Sequence, residues 1–179
     1  RFSGLDEYLL EERIQQADYS REIYPGSVNT IRILTMIDPE TKQPFVGAAA
    51  HRFGTVASSP ADNLTAGGVC ADVDIRSGRL SSAVKKGAPV APTDHDIHPD
   101  TGTQITEIEV PGWDKIRESV LDLTNQLAEI LPYIGWDIAV TDRRGSFKIL
   151  EANTRSDVDL LQLHRPLLED DRVREFYDN

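Results

Sequence analysis

One cysteine, one methionine and two tryptophans are the scarcest residues of this 179-residue chain. A lone Cys70 excludes any intrachain disulfide and fits a reducing compartment, so a cytoplasmic location is expected. No apolar run approaches the ~20 residues that a membrane helix needs, and residues 1–10 lack the basic-then-apolar order of a signal peptide. Lys and Arg number 19 against 30 Asp and Glu, giving a net charge of -11. That balance excludes nucleic acid, whose affinity rests on cations at phosphates, and disfavours an anionic membrane. An acidic surface with few lysines suits a salt-loving source, where salt screens the self-repulsion.

What remains, 39% hydrophobic and 27% charged, is an ordinary globular composition, enough for one domain or one lobe of a larger one. The chain starts abruptly and is read as part of a longer protein. Residues 5–16 are ambiguous between helix and strand. Residues 29–37 alternate as a strand, residues 38–41 turn, and residues 45–53 return as the second arm of an antiparallel hairpin. A glycine-rich loop over 54–68 precedes strands at 69–75 and 79–84. Residues 85–104 read as a long irregular, substrate-covering loop, and 105–110 as a short strand. Ile116, Val120, Leu123, Leu127 and Ile130 step by helical spacing, with Asp114 as the expected N-cap and Pro132 as the stop. Strands at 133–142 and 146–154 flank a turn at Arg143-Arg144-Gly145. Ser156 and Asp159 resemble a capping box opening a helical tail that Pro166 divides. The fold class is α+β, a mainly antiparallel sheet with covering helices.

The second hairpin carries a carboxylate cluster. A three-residue turn centred on residue 144 sets Asp137 opposite Glu151, with Asn153 on the same face. Two like charges so placed repel unless a cation neutralises them, and Mg²⁺ is the hard, oxygen-seeking choice. Arg32 lies between apolar residues of its strand, so one sheet face there is polar. Asp94, His95, Asp96 and His98 invite a transition-metal reading, but a surface loop is the simpler one. Cys70 reads as a buried small hydrophobe, Trp113 and Trp136 as core aromatics, with Trp136 also placed to wall the site.

The hairpin Gly135-Trp136-Asp137 and Glu151-Ala152-Asn153 resembles the metal-binding signature near the C-terminus of ATP-grasp enzymes. The strings YPGSVNTIRILT, RFG, DN…GG, HP.TGT, PGW and IGWDIAVT together resemble the sugar-transfer associated ATP-grasp family, related to ribosomal-protein glutamate ligases. The resemblance implies the C-terminal lobe of an ATP-grasp domain over residues 1–179. On that resemblance an N-terminal lobe, with its lysines and phosphate-covering loop, is expected outside residues 1–179. It implies ATP and two Mg²⁺ ions (or Mn²⁺) held by Asp137, Glu151 and Asn153, with Arg32 and Arg52 on the transferring phosphoryl group. The segment Leu10–Ile14, with Glu12, Arg13 and Ile14, then contacts adenine, while Asn63 and Gly68 lie on the loop leading into the site. Small-molecule or peptide carboxylates and amines are the implied substrates of an ATP-dependent carboxylate–amine ligase. Thr154-Arg155-Ser156-Asp157 departs from the Pro-Gly usual after Glu-x-Asn, on the acceptor side. The competing readings are a non-catalytic nucleotide- or metal-binding regulatory module and a metal-dependent hydrolase.

Overall fold

A computed structural model describes residues 12–86 and 93–178. Leu10 and Glu11 of the expected adenine segment lie outside the described residues. Seven strands, β1 Ile31–Ile37, β2 Pro44–Phe53, β3 Val69–Val73, β4 Leu80–Lys85, β5 Thr93–His95, β6 Tyr133–Val140 and β7 Phe147–Asn153, form one sheet. Its order is β5-β4-β3-β2-β1-β6-β7, with every pairing antiparallel.

Strand alternation sorts the side chains onto two faces. Ile31 and Ile33 of β1, Ile134, Trp136 and Ile138 of β6, and Val69 and Ala71 of β3 pack under helix α2, Trp113–Leu127. The opposite face buries Leu34, Met36, Ala48 and Cys70 beneath the tail, where two short 3₁₀ turns precede α3, Asp171–Asp178. Pro166 stands between the two 3₁₀ turns, as the sequence indicates. At its other end this second face turns polar, and Arg32, Arg52 and Asp137 lie there.

Several local expectations need correction. α2 is capped by Gly112 in a left-handed conformation, φ 66°, and no side chain caps it. Gly112 packs backbone to backbone on Gly145 of the β6–β7 turn, leaving no room for a Cβ. Asp114 instead occupies the first turn and pairs with Arg117 at 3.0 Å. Ile130, beyond the helix end, is 77% exposed. The run at 105–110 is no strand, because Glu107 takes a φ of 69° and Ile108 N–H turns back to Ile105 O. Within 85–104 the short β5 pairs with β4. A helix α1, Asp18–Ile23, follows an irregular segment over residues 12–17. Ser156 opens no helix. Its hydroxyl accepts a hydrogen bond from Arg32 Nη1 at 2.8 Å, and the following 3₁₀ turn has no side-chain cap.

Candidate functional site

The central feature is a row across five strands in which four of the five residues are charged. Asp72, Ala50, Arg32, Asp137 and Glu151 are successive register partners on β3, β2, β1, β6 and β7. Directly paired residues share a sheet face, so the row projects to one side. The Asp137–Glu151 pairing matches the sequence reading but arises differently. Near the turn the register is Val140↔Phe147, one residue out of step with that reading. A bulge between Asp137 and Ile138 then restores Asp137↔Glu151 and Gly135↔Asn153.

Arg32 holds Asp137 through Nε–Oδ1 at 2.5 Å and Nη2–Oδ2 at 2.8 Å. Arg52 Nη2 lies 3.3 Å from Asp137 Oδ2. Hydrogen bonding to Asp137 raises the Arg32 guanidinium above its ordinary value against the opposing effect of burial. Asp62 completes the group, a residue that sequence reasoning left without a role. Its Oδ2 accepts the Thr30 N–H at 2.8 Å and the Thr30 hydroxyl, while Arg52 Nε donates to Thr30 Oγ1 at 3.0 Å. Burial pushes the Asp62 carboxyl up, opposed by the charge of Arg52. Gly135 was also missed as a contributor. A Cβ there would overlap Ser156, so glycine lets Ser156 reach Arg32.

Glu151 is exposed, and Asn153 is half-buried. Among the described residues no group of three or more His, Cys, Asp or Glu is placed to hold a metal ion. A cation site here therefore needs the Asn153 amide. Asn153 Nδ2 is a buried side-chain atom with no hydrogen-bond partner. Such an orphan is costly, and rotating the amide would put Oδ1 there instead. The Asp137 oxygens keep spare lone pairs beside the arginines. An all-oxygen set of Asp137, Glu151 and Asn153 thus fits a hard cation such as Mg²⁺.

Glu12, Arg13 and Ile14 line a cleft of about 520 Å³ with Thr141, Lys148 and Ile149, along edge strand β7 and two residues from Glu151. Gln16 anchors this segment to the start of β1, donating to Ser27 O at 2.7 Å and accepting the Asn29 N–H at 2.9 Å. Asn63 is exposed, and its Oδ1 accepts from Thr65 in a local turn. Gly68 is pressed against the carbonyls of Phe53, Asp62 and Asn63, so it shapes the loop behind Arg52. Trp136 faces away from Asp137. Its Nε1 donates to Thr35 Oγ1 under α2, so it does not wall the site. His98 is fully buried, with Nε2 on Gly54 O at 2.7 Å and Nδ1 accepting from Asp100 N–H. Both ring nitrogens being used, it is no metal ligand, and its loop is tied to α1 through Thr101 and Thr103. Burial pushes the Cys70 thiol up to about 12, an inert core residue.

Residues 3–171 match the family described as sugar-transfer associated ATP-grasp. The chain belongs to this family. Comparison with curated proteins and with solved structures gave no match. The antiparallel sheet with its helices is an α+β ATP-grasp lobe. Membership carries ATP-dependent, ligase-type activity, and ATP-grasp proteins typically use ATP and Mg²⁺. No helix among the described residues is long and apolar enough to cross a membrane.

Proposed function

We propose that the chain forms the catalytic lobe of a carboxylate–amine ligase, which converts a carboxylate to an acyl phosphate at the expense of ATP and lets an amine displace the phosphate. One observation carries this reading: Arg32, Arg52, Asp137, Glu151 and Asn153 share the polar end of one sheet face. Phosphoryl transfer asks for positioning and charge neutralisation more than covalent help. Asp137, Glu151 and Asn153 would hold Mg²⁺, which supplies charge neutralisation at the phosphate oxygens. Arg32 and Arg52 present planar guanidinium groups suited to phosphoryl and acyl-phosphate oxygens. Arg52 is the freer of the two, since its Nη1 makes no hydrogen bond among the described residues. The backbone of Glu12–Ile14, beside Lys148 and Ile149, forms an adenine pocket. Asn63 and Gly68 close the phosphate side, and a preceding portion of the same protein supplies the covering lysines. The amine and the acid are small molecules or a peptide end.

The test is ADP release from Mg-ATP by the complete protein, with and without a pool of amines and acids, against Glu151→Ala. Amine-dependent release that vanishes in the variant supports the ligase. The grip of Arg32 on both oxygens of Asp137 favours a second reading, a regulatory module that binds nucleotide without turnover. Nucleotide binding with no ADP formed in either protein would select it.

A further inference from the structure

Strand β2 runs from Pro44 to Phe53, but β3 pairs only with its last four residues, Ala50 to Phe53. After Val73 the chain bends away, with Asp74 N–H donating to Arg79 O at 2.9 Å and Gly78 N–H to Asp74 O at 2.8 Å. The first residues of β2 pair with β1 alone. Their outward groups follow from the alternation of an antiparallel ladder. Ile37 N–H points to Pro132 O on the β6 side and Asp38 N–H to Gln43 O. Phe45 therefore faces Met36, and the Val46 N–H and C=O and the Pro44 C=O turn away from β1 toward the base of a cleft, where Val46 is 5% exposed.

A wedge-shaped cleft of about 800 Å³ fills the gap between this edge and the departing chain. Four arginines line it, Arg76, Arg117, Arg165 and Arg172, against Asp74 and Asp170, in a chain of net charge -11. The Asp74 carboxylate is turned inward to the N–H groups of Arg76 and Ser77. Arg172 lies 4.6 Å over the Phe45 ring and pairs with Asp170. Arg117 Nη1 braces the wall by donating to Ile75 O and Arg76 O. Two cations are left to receive a ligand. The Arg76 side chain makes no hydrogen bond or ion pair among the described residues, and Arg165 makes one loose ion pair, with Asp72 at 3.9 Å, while its charge also reaches Asp74. Ile75 and Leu121 add apolar surface between them.

An unpaired strand edge, apolar floor and arginine walls together suit one kind of ligand. We propose that this wedge binds an extended acidic peptide segment, which adds a short strand at Val46 and sets Asp or Glu side chains against Arg76 and Arg165. The site lies about 20 Å along β2 from Arg52 and does not depend on the ligase reading.

A fluorescent peptide of alternating Glu and Val, followed by anisotropy with the complete protein, tests this. Its comparisons are a Lys-Val peptide, the same Glu-Val peptide N-methylated at alternate residues, and inorganic phosphate as competitor. Binding of the Glu-Val peptide alone is expected, about tenfold weaker in Arg76→Gln/Arg165→Gln with an unchanged melting temperature. Equal binding of the N-methylated peptide, or its displacement by phosphate at matched charge, would reduce the wedge to an anion pocket and overturn the proposal. Absence of binding at about millimolar peptide overturns it too, as does a dimer of this chain that excludes the peptide.

Discussion

Arg32 and Asp137 face each other across the β1–β6 pair and join through two parallel hydrogen bonds, Nε–Oδ1 at 2.5 Å and Nη2–Oδ2 at 2.8 Å. Both side chains are less than 10% exposed. Removing one member of such a pair strands the other charge. Asp137→Ala leaves Arg32 and Arg52 without it, and is expected to lower unfolding stability by about 3–5 kcal/mol in urea titrations. Glu151→Ala, on an exposed position of an edge strand, should change stability by less than about 0.5 kcal/mol. Equal losses in the two variants would contradict this division of the row.

Asp62, Thr30 and Arg52 form a chain in which the Thr30 hydroxyl donates to the carboxylate and accepts from the guanidinium. Thr30→Val and Asp62→Ala each break it. Each is expected to cost about 1–3 kcal/mol, because donors are left unpaired in a poorly solvated place. The double variant should cost less than the sum of the two, since both act on one network. Strict additivity in denaturant melts would show that Asp62 does not orient Arg52 through Thr30.

Gly135 lets Ser156 lie directly on β6. Gly135→Ala forces Ser156 away and breaks its hydrogen bond to Arg32, with an expected loss of about 1–3 kcal/mol. Adding Ser156→Gly relieves the overlap and should recover part of that loss, though not the hydrogen bond. If Gly135→Ala melts like the wild type, the close approach has no energetic weight.

Strands β1 and β3 were legible because apolar residues alternate in their segments, as in residues 29–37 and 69–75. The Asp137–Glu151 pairing was reached through a turn register one residue off, which the bulge happens to cancel. Nothing in the sequence marks that bulge. β5 escaped because three residues give no period. The mistaken cap at Asp114 came from weighing a favourable residue type over a packing constraint, the Gly112–Gly145 contact between segments 33 positions apart. Asp62 and Ser156 escaped for the same reason, since their partners Thr30 and Arg32 are distant in sequence. Residue type and period report local structure, whereas a site assembled from four strands and the segments of Asp62 and Ser156 is a tertiary fact.

His51 supplies the last prediction, a pH dependence of stability. Its ring is fully buried, stacked on Phe53 at 4.2 Å. It makes contacts of 2.9 Å to the Tyr19 hydroxyl and 3.2 Å to Arg52 O. Burial pushes its pKa down to about 3. The unfolded chain, with an ordinary imidazole near 6.5, therefore binds more protons than the folded one between these values. The stability it contributes is present above about pH 6.5 and falls as the pH drops toward about 3. Asp62 and Asp72, raised by burial, act with the opposite sign in the carboxylate range. The histidine is best read as a difference, wild type minus His51→Gln, because the carboxylates are common to both. Glutamine can still accept from Tyr19 and donate to Arg52 O, yet it does not titrate. Between pH 6.5 and pH 5 the wild type should lose about 2 kcal/mol more than the variant in urea unfolding. Parallel pH profiles for the two proteins would mean that His51 takes up its proton in the folded state as readily as in the unfolded one.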